Sequence, residues 1–214
     1  MTDAFWTVAR EARVKIPVGA CRFIASVART DTEDEAKAFV ARVSAEFHDA
    51  THNAYAYKIG LGDAAVARQN DDAEPQGTAG QPMLQAIEKA GLTNVTVVGT
   101  RYFGGVKLGI GGLIRAYRSC AEAGLAAAGR VEEIMREKVV VEINYELLGT
   151  VLHELAACRA EVGAVDYTAE GARVAALVPA ASLQWLEDQL KESTSGKAVL
   201  QLGHNNSNGW QGGE

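Results

Sequence analysis

A glycine-rich run, RYFGGVKLGIGGLIRAY, carries the clearest chemical signal in this chain of 214 residues. Five of its nine residues from 104 to 112 are glycines: Gly104, Gly105, Gly109, Gly111 and Gly112. Glycines let a backbone turn tightly and expose successive N–H groups, and a helix predicted to begin directly after them adds its dipole. Arg101, Lys107 and Arg115 bring cations to the same helix end. The run therefore predicts a site for an anion, such as a ligand phosphate.

The same glycines also have a purely structural interpretation. They allow a helix to pass close to a strand, and Arg115 could pair with a carboxylate of the chain itself. The run matches neither G-x-x-x-x-G-K-[ST] nor G-x-G-x-x-G with a downstream acid. A nucleotide site of the P-loop or Rossmann kind is therefore not expected.

An acidic segment, DDAEPQGTAG, supplies Asp71, Asp72 and Glu74 shortly before a predicted helix. Carboxylate oxygens are ligands that Mg²⁺ prefers, but they can equally cap backbone amides or neutralise the basic run. Thr78 is a candidate helix cap or a hydroxyl donor to a phosphate. Because no fourth ligand accompanies the three carboxylates, we expect no metal or other cofactor, and Mg²⁺ stays a hypothesis.

Two histidines, His48 and His52, have the i, i+4 spacing of a zinc-protease helix, but Asp49 replaces the glutamate that acts there as general base. We therefore interpret His52 and Asn53 as a polar rim of the anion site. No Ser–His–Asp or Cys–His nucleophile can be assembled, so catalytic residues stay unassigned. Aromatic side chains offer either base stacking or core packing; they are Tyr55, Tyr57, Tyr102 and Phe103.

The elements that position these residues form two groups. The first half reads as strands and helices that end near Gly129. The second half reads as βαββαβ, which is the order of a ferredoxin-like domain. We predict an α/β (α+β) protein whose N-terminal two-layer α/β domain spans residues 1–130. A ferredoxin-like domain follows at 137–203, and residues 204–214 form a loose tail.

Charge is unevenly distributed along the chain. The formal net charge is −6, with +1 on residues 1–130 and −7 on the rest. A protein that coats nucleic acid indiscriminately would be basic overall, so a phosphate-rich partner could bind only locally. The three cysteines are far apart, and no membrane-spanning run or signal peptide is recognisable. These features predict a cytoplasmic protein that does not enter membranes.

Four segments give the sequence a strong resemblance to the YigZ/IMPACT family; they are CRFIA, DATHNAYAY, DDAEPQGTAGQPML and TRYFGGVKLGIGGLIRAY. The resemblance implies an N-terminal domain related to a small-subunit ribosomal protein and a C-terminal domain similar to one of elongation factor G. The family pattern usually has Gly and Ser where Ala73 and Gln76 stand here. If that Gly needs a positive φ, Ala73 must be strained or the acidic turn must shift.

The residues and the resemblance together favour a non-enzymatic, translation-associated regulatory protein. Its N-terminal cleft would bind RNA or another phosphate-bearing ligand, with contacts to the ribosome or a translation factor. One alternative is an enzyme that acts on a small phosphorylated or acidic substrate through Asp71, Asp72 or Glu74. Another is a protein–protein adaptor whose acidic C-terminal domain meets a basic partner.

Overall fold

In the computed structural model, which describes residues 4–203, the chain folds into two compact units. The first spans Phe5–Glu133, and the second begins at Ile134. The segment predicted as a loose tail, residues 204–214, lies outside the described residues. Within the described range, no helix is long and apolar enough to span a membrane.

The first unit is built on a five-stranded antiparallel sheet with the order β2-β3-β6-β4-β5, and β1 pairs separately with β7. Its elements in chain order are β1 (Ala4–Val8), β2 (Ala12–Val18), β3 (Cys21–Arg29), α1 (Glu33–Glu46), β4 (His52–Ile59), β5 (Val66–Asn70), α2 (Gly80–Lys89), β6 (Val95–Tyr102), α3 (Gly109–Ala128) and β7 (Arg130–Ile134).

Helix α1 begins at a capping box, which the sequence indicates by Thr32 and by Glu35 three residues later. The hydroxyl of Thr32 accepts a hydrogen bond from the Glu35 N–H at 3.2 Å, so Thr32 is the N-cap. The Glu35 carboxylate in turn accepts from the Asp31 N–H at 2.7 Å, one residue before the position it reaches in the standard motif. Both contacts satisfy backbone donors at the start of α1.

Helices cover both faces of this sheet. Phe23, Ala25 and Val27 of β3 pack in the core that α2 and α3 form, whereas Ala28 and Val98 pack on the opposite face, in the core under α1. The α/β class is therefore confirmed, and α1 adds a third layer to the two that the sequence predicts. Strand β6 lies in the middle of the sheet, so its side chains reach both cores.

The second unit has the predicted ferredoxin-like topology. Its antiparallel sheet has the order β11-β8-β10-β9, and the core contains Val139, Val141, Leu155 and Leu186. Its elements are β8 (Arg136–Ile143), α4 (Leu148–Ala157), β9 (Glu161–Tyr167), β10 (Ala172–Pro179), α5 (Leu183–Ser193) and β11 (Val199–Leu202).

Residues 131–136, which separate the two predicted domains, are mostly strand. Strand β7 extends to Ile134, and after Met135 strand β8 begins at Arg136. The two compact units divide between Glu133 and Ile134. Exposed and half-buried residues alternate along β7, with Glu132 and Ile134 exposed and Val131 and Glu133 half-buried, which is the pattern of a strand with one exposed face.

Candidate functional site

Helix α3 begins without a capping side chain. Leu108 occupies the N-cap position and provides no hydrogen bond, and the first turn of the helix contains no acidic residue. No described side chain accepts from the backbone N–H groups of residues 109–112. Gly109, Ile110 and Gly111 are solvent-exposed. Unpaired N–H groups and the positive end of the dipole therefore face solvent together.

Two cations stand beside this helix end. Lys107 and Arg115 are both exposed, and no described carboxylate lies within 4.0 Å of either one. Nη1 of Arg115 lies 3.4 Å from the position that a Cβ on Gly111 would occupy, so the guanidinium folds back over the first turn. The alternative in which Arg115 pairs with a carboxylate of the chain is not found among the described residues, since none of Asp71, Asp72 and Glu74 lies within 4.0 Å of it. Positive charge here is unneutralised.

Close packing explains part of the glycine run. A Cβ on Gly104 would lie 1.9 Å from the carbonyl oxygen of Ala20, so only glycine fits where the loop crosses the β2–β3 turn. Gly105 and Gly109 have φ values of +87° and +68°, which favour glycine. Gly111 is different, because a Cβ on it would meet only the Arg115 guanidinium. The structural and the anion-binding interpretations thus apply to different glycines.

Arg101 does not belong to this exposed surface, contrary to its predicted place there. Its side chain is buried, and Nη1 donates to both carboxylate oxygens of Glu74, at 2.8 and 3.0 Å. The Tyr117 hydroxyl donates to the same carboxylate at 2.8 Å. Burial lowers the pKa of Arg101, but the Glu74 carboxylate and the Cys21 sulfur outweigh it and raise that pKa above its usual value. Arg101 and Glu74 therefore neutralise one another inside the fold.

Asp71 holds the start of α2. Its carboxylate accepts hydrogen bonds from the N–H groups of Gly77, Ala79 and Gly80, at 2.8 to 3.0 Å. Partial burial opposes ionisation, but these three donors together outweigh it and keep the pKa of Asp71 below its usual value. A carboxylate used in this way is a cap, and not the metal ligand or general base that the sequence also allows.

Asp72 closes the same turn. Its Oδ2 accepts from the Asn53 N–H at 2.6 Å, and its carbonyl oxygen lies 2.6 Å from Nδ1 of His52. No group of three or more His, Cys, Asp or Glu side chains within residues 4–203 is arranged to hold a metal ion. The three carboxylates of the acidic segment therefore bind groups of the protein itself.

Ala73 adopts a left-handed backbone conformation, which is costly for a residue that has a β-carbon. Its φ is +64°, and Asp72 before it has a φ of +47°. A β-carbon in this region costs about 1–2 kcal/mol. The left-handed backbone at Ala73 is therefore a local source of strain in this turn.

Thr78 and Asn53, the remaining predicted polar residues, also form hydrogen bonds within the protein. The Thr78 hydroxyl is buried and donates to the Pro75 carbonyl at 2.7 Å, while Ala79 takes the N-cap position of α2. Asn53 donates to the Phe47 carbonyl and accepts from Thr100, at 3.1 and 2.7 Å. Neither Thr78 nor Asn53 is therefore oriented for a ligand on the surface described above.

His52 lies beside the buried ion pair of Arg101 and Glu74 and is itself partly exposed. Nε2 of His52 lies 3.9 Å from Oε2 of Glu74, a contact that is ionic only when the imidazole is protonated. Because Nδ1 already contacts the Asp72 carbonyl, His52 links the acidic turn to the Glu74 carboxylate. It joins β4 to the acidic segment.

Of the predicted aromatic residues, Phe103 alone is strongly exposed. Phe103 is 46% exposed, whereas Tyr57 is buried, and burial together with the Glu33 carboxylate raises the pKa of Tyr57 to about 12. Tyr102 donates to Asp49 at 2.7 Å, and the Arg22 guanidinium carbon lies 4.3 Å from the centre of its ring. Tyr55 and Tyr57 belong to the cores under α1.

Exposed apolar side chains complete the surface, and sequence reasoning did not identify them. Val106 and Ile110 are 64% and 65% exposed, and they flank Lys107 and the first turn of α3. Val106 lies in the glycine-rich loop and Ile110 lies between two glycines in the first turn of α3, and apolar residues within a glycine-rich run are the signal that could have found them. We call Phe103, Val106, Lys107, Ile110 and Arg115 the α3 loop surface.

Comparison with known proteins gives two family-model matches. Residues 20–125 match the Impact N-terminal domain, and residues 135–210 match the elongation factor G C-terminus. Each match falls almost entirely within one of the two compact units.

Individual relatives span nearly the whole chain. IMPACT family member YvyE of Bacillus subtilis is 35% identical over 203 residues, which is 95% of this chain and 93% of that protein. IMPACT family member YigZ of Escherichia coli is 34% identical and covers 84% and 88% of the two chains. A solved structure described as a hypothetical protein covers 96% of this chain and 100% of its own, with a TM-score of 0.72 and 29% identity.

Proposed function

This chain belongs to the IMPACT family, and we propose that it is a non-enzymatic, translation-associated protein that binds RNA through the α3 loop surface. The observation that carries the proposal is the uncapped start of α3, with Lys107 and Arg115 exposed beside it and no described carboxylate within 4.0 Å of either. The similarity of the second unit to the elongation factor G C-terminus supports the link to translation.

The chemistry of the surface favours RNA over a small anion. A phosphate group can accept from the free N–H groups of α3 and from the guanidinium of Arg115. Phe103 offers an exposed ring on which a base can stack, and Val106 and Ile110 offer apolar contacts. Phosphate and base contacts side by side are typical of single-stranded RNA recognition.

The positive charge that attracts RNA lies on the α3 loop surface, whereas the chain as a whole is acidic. The net charge is −6, so nonspecific coating of nucleic acid is unfavourable, and attraction is confined to the α3 loop surface. We therefore expect moderate, salt-sensitive affinity for unpaired RNA segments and weak affinity for long duplexes.

The enzymatic alternative has less support. Asp71 caps α2, Asp72 closes a turn, and Glu74 is paired with Arg101. A general base needs an accessible carboxylate within hydrogen-bond reach of a substrate proton. All three candidate carboxylates are instead committed to groups of the protein.

A binding assay tests the proposal directly. The full chain is titrated into a fluorescein-labelled single-stranded RNA of mixed sequence, and fluorescence anisotropy reports the affinity. We expect the double variant Lys107→Gln/Arg115→Gln to bind about tenfold or more weakly, because two phosphate contacts are lost.

The matched control removes the same charge elsewhere. Lys37→Gln/Arg42→Gln changes two exposed cations of α1, which lies on the opposite face of the sheet from α3. This control should bind RNA like the unaltered protein. Equal loss in both double variants would mean that net charge, and not the α3 loop surface, sets the affinity.

A further inference from the structure

A cavity of about 460 Å³ lies at the other end of α3, between the C-terminal ends of α2 and α3. Its floor is apolar and includes Ala86, Leu92 and Leu125. Small-molecule sites are typically concavities of roughly 300–1,000 Å³ with apolar walls and a few placed polar groups. The size and the floor of this cavity meet that description.

The rim of the cavity carries two cations. The guanidinium carbon of Arg130 lies 4.2 Å from the centre of the Trp6 ring, which holds it in place by cation–π contact. No described carboxylate lies within 4.0 Å of Arg130, so its N–H groups stay available. Lys89 contacts Glu122 at 3.3 Å, but its side chain is 78% exposed, which makes that pair weak.

A carbonyl group near the end of α3 already has a cationic partner outside the cavity lining. Carbonyl groups at the end of α3 carry negative partial charge, and Nη2 of Arg10 already donates to the Ala127 carbonyl at 3.0 Å. Among the residues that line the cavity, the cations Lys89 and Arg130 outnumber the single carboxylate of Glu122. An excess of positive charge above an apolar floor favours a ligand that is apolar at one end and anionic at the other.

We propose that this cavity binds a small molecule with an apolar chain or ring and a single carboxylate. The apolar part lies on Ala86, Leu92 and Leu125, and the carboxylate accepts from the fixed guanidinium of Arg130, with Lys89 beside it. The cavity lies at the opposite end of α3 from the α3 loop surface, and none of its lining residues belongs to that surface.

Octanoate is a suitable probe, with octan-1-ol and octyltrimethylammonium as uncharged and cationic counterparts. Amide chemical shifts of the ¹⁵N-labelled full chain should change for residues at the ends of α2 and α3 as octanoate is added. We expect octanoate to bind at least about tenfold more tightly than either counterpart, and Arg130→Gln to remove that preference.

A blocking variant and its control test the location. Ala126 lines the cavity and is exposed, so Ala126→Trp should fill the mouth without disturbing the core and abolish the shifts. Ser119 is exposed on the same helix outside the cavity, so Ser119→Trp should leave them unchanged. The proposal is overturned if octanoate causes no shifts there, if Ala126→Trp binds it normally, or if octan-1-ol binds equally well.

Discussion

Nη1 of Arg101 lies 2.8 Å from Oε1 of Glu74, and each of these side chains is more than nine-tenths buried. Arg101 is in β6, Glu74 precedes α2, and the Tyr117 hydroxyl of α3 donates to the same carboxylate. One buried carboxylate thus joins three parts of the first unit. This network fixes α3 against the sheet and thereby positions the loop before it.

Replacing Glu74 by Gln should strongly destabilise the protein. The variant leaves the Arg101 charge buried without a counter-charge, which typically costs about 3–5 kcal/mol. Chemical denaturation should show this loss in the free energy of unfolding. The control Glu122→Gln removes an exposed partner of Lys89 and should change little. Similar midpoints for the two variants would contradict a structural role for the buried pair.

Asp71→Asn should lower stability in a pH-dependent way. The folded-state pKa of Asp71 is lowered, so its ionised form stabilises the fold above the ordinary carboxyl pKa, and this contribution is lost as the pH falls through the lowered value. We expect a loss of about 2 kcal/mol at pH 7, since hydrogen bonds to a charged group are weakened. The difference from the unaltered protein should narrow below about pH 4. A difference that is constant from pH 7 to pH 3 would argue against an ionised cap.

Ala73→Gly should stabilise the protein. Glycine removes the strain of a φ of +64° but adds backbone freedom to the unfolded chain, so the net gain should be about 0.5–1 kcal/mol. Thermal unfolding measures the change. Ala38→Gly, at an exposed position within α1, should instead destabilise by about 1 kcal/mol. A loss of stability in both variants would show that the turn does not strain Ala73.

Phe103→Ala should weaken RNA binding without changing its salt dependence. A base that stacks on an exposed ring contributes about 1–3 kcal/mol, and this contribution does not involve counterions. Phe103→Trp should retain most of the affinity because it keeps an aromatic face. If Ala and Trp weaken binding equally, stacking is not the role of this side chain.

Local patterns in the sequence predicted much of the fold. Thr32 and Glu35 mark the start of α1, and the alternation of the second half predicts the ferredoxin-like order, because caps and strand periods depend on near neighbours. The strand β5 and the pairing of β1 with β7 were not predicted. Those strands are short and partly exposed, so they lack a strong hydrophobic period.

The candidate site was predicted only in part, because Arg101 of β6 was assigned to the exposed anion site and is instead buried. Val95 and Val97 pack on the α2 and α3 side of the sheet, and a period of two places Gly99 and Arg101 on that side as well. Extending this two-residue period to the end of β6 would have predicted that Arg101 is buried. Its partner Glu74 lies 27 residues away, and a contact at that separation is set by tertiary packing and not by local sequence.

The dependence of RNA affinity on salt tests the central claim most directly. Each phosphate contact to a single strand contributes about −0.7 to the slope of log affinity against log salt concentration. Lys107→Gln/Arg115→Gln should therefore reduce the magnitude of the slope by about 1.4, while Lys37→Gln/Arg42→Gln leaves it unchanged. An unaltered slope in the first variant would contradict RNA binding at the start of α3.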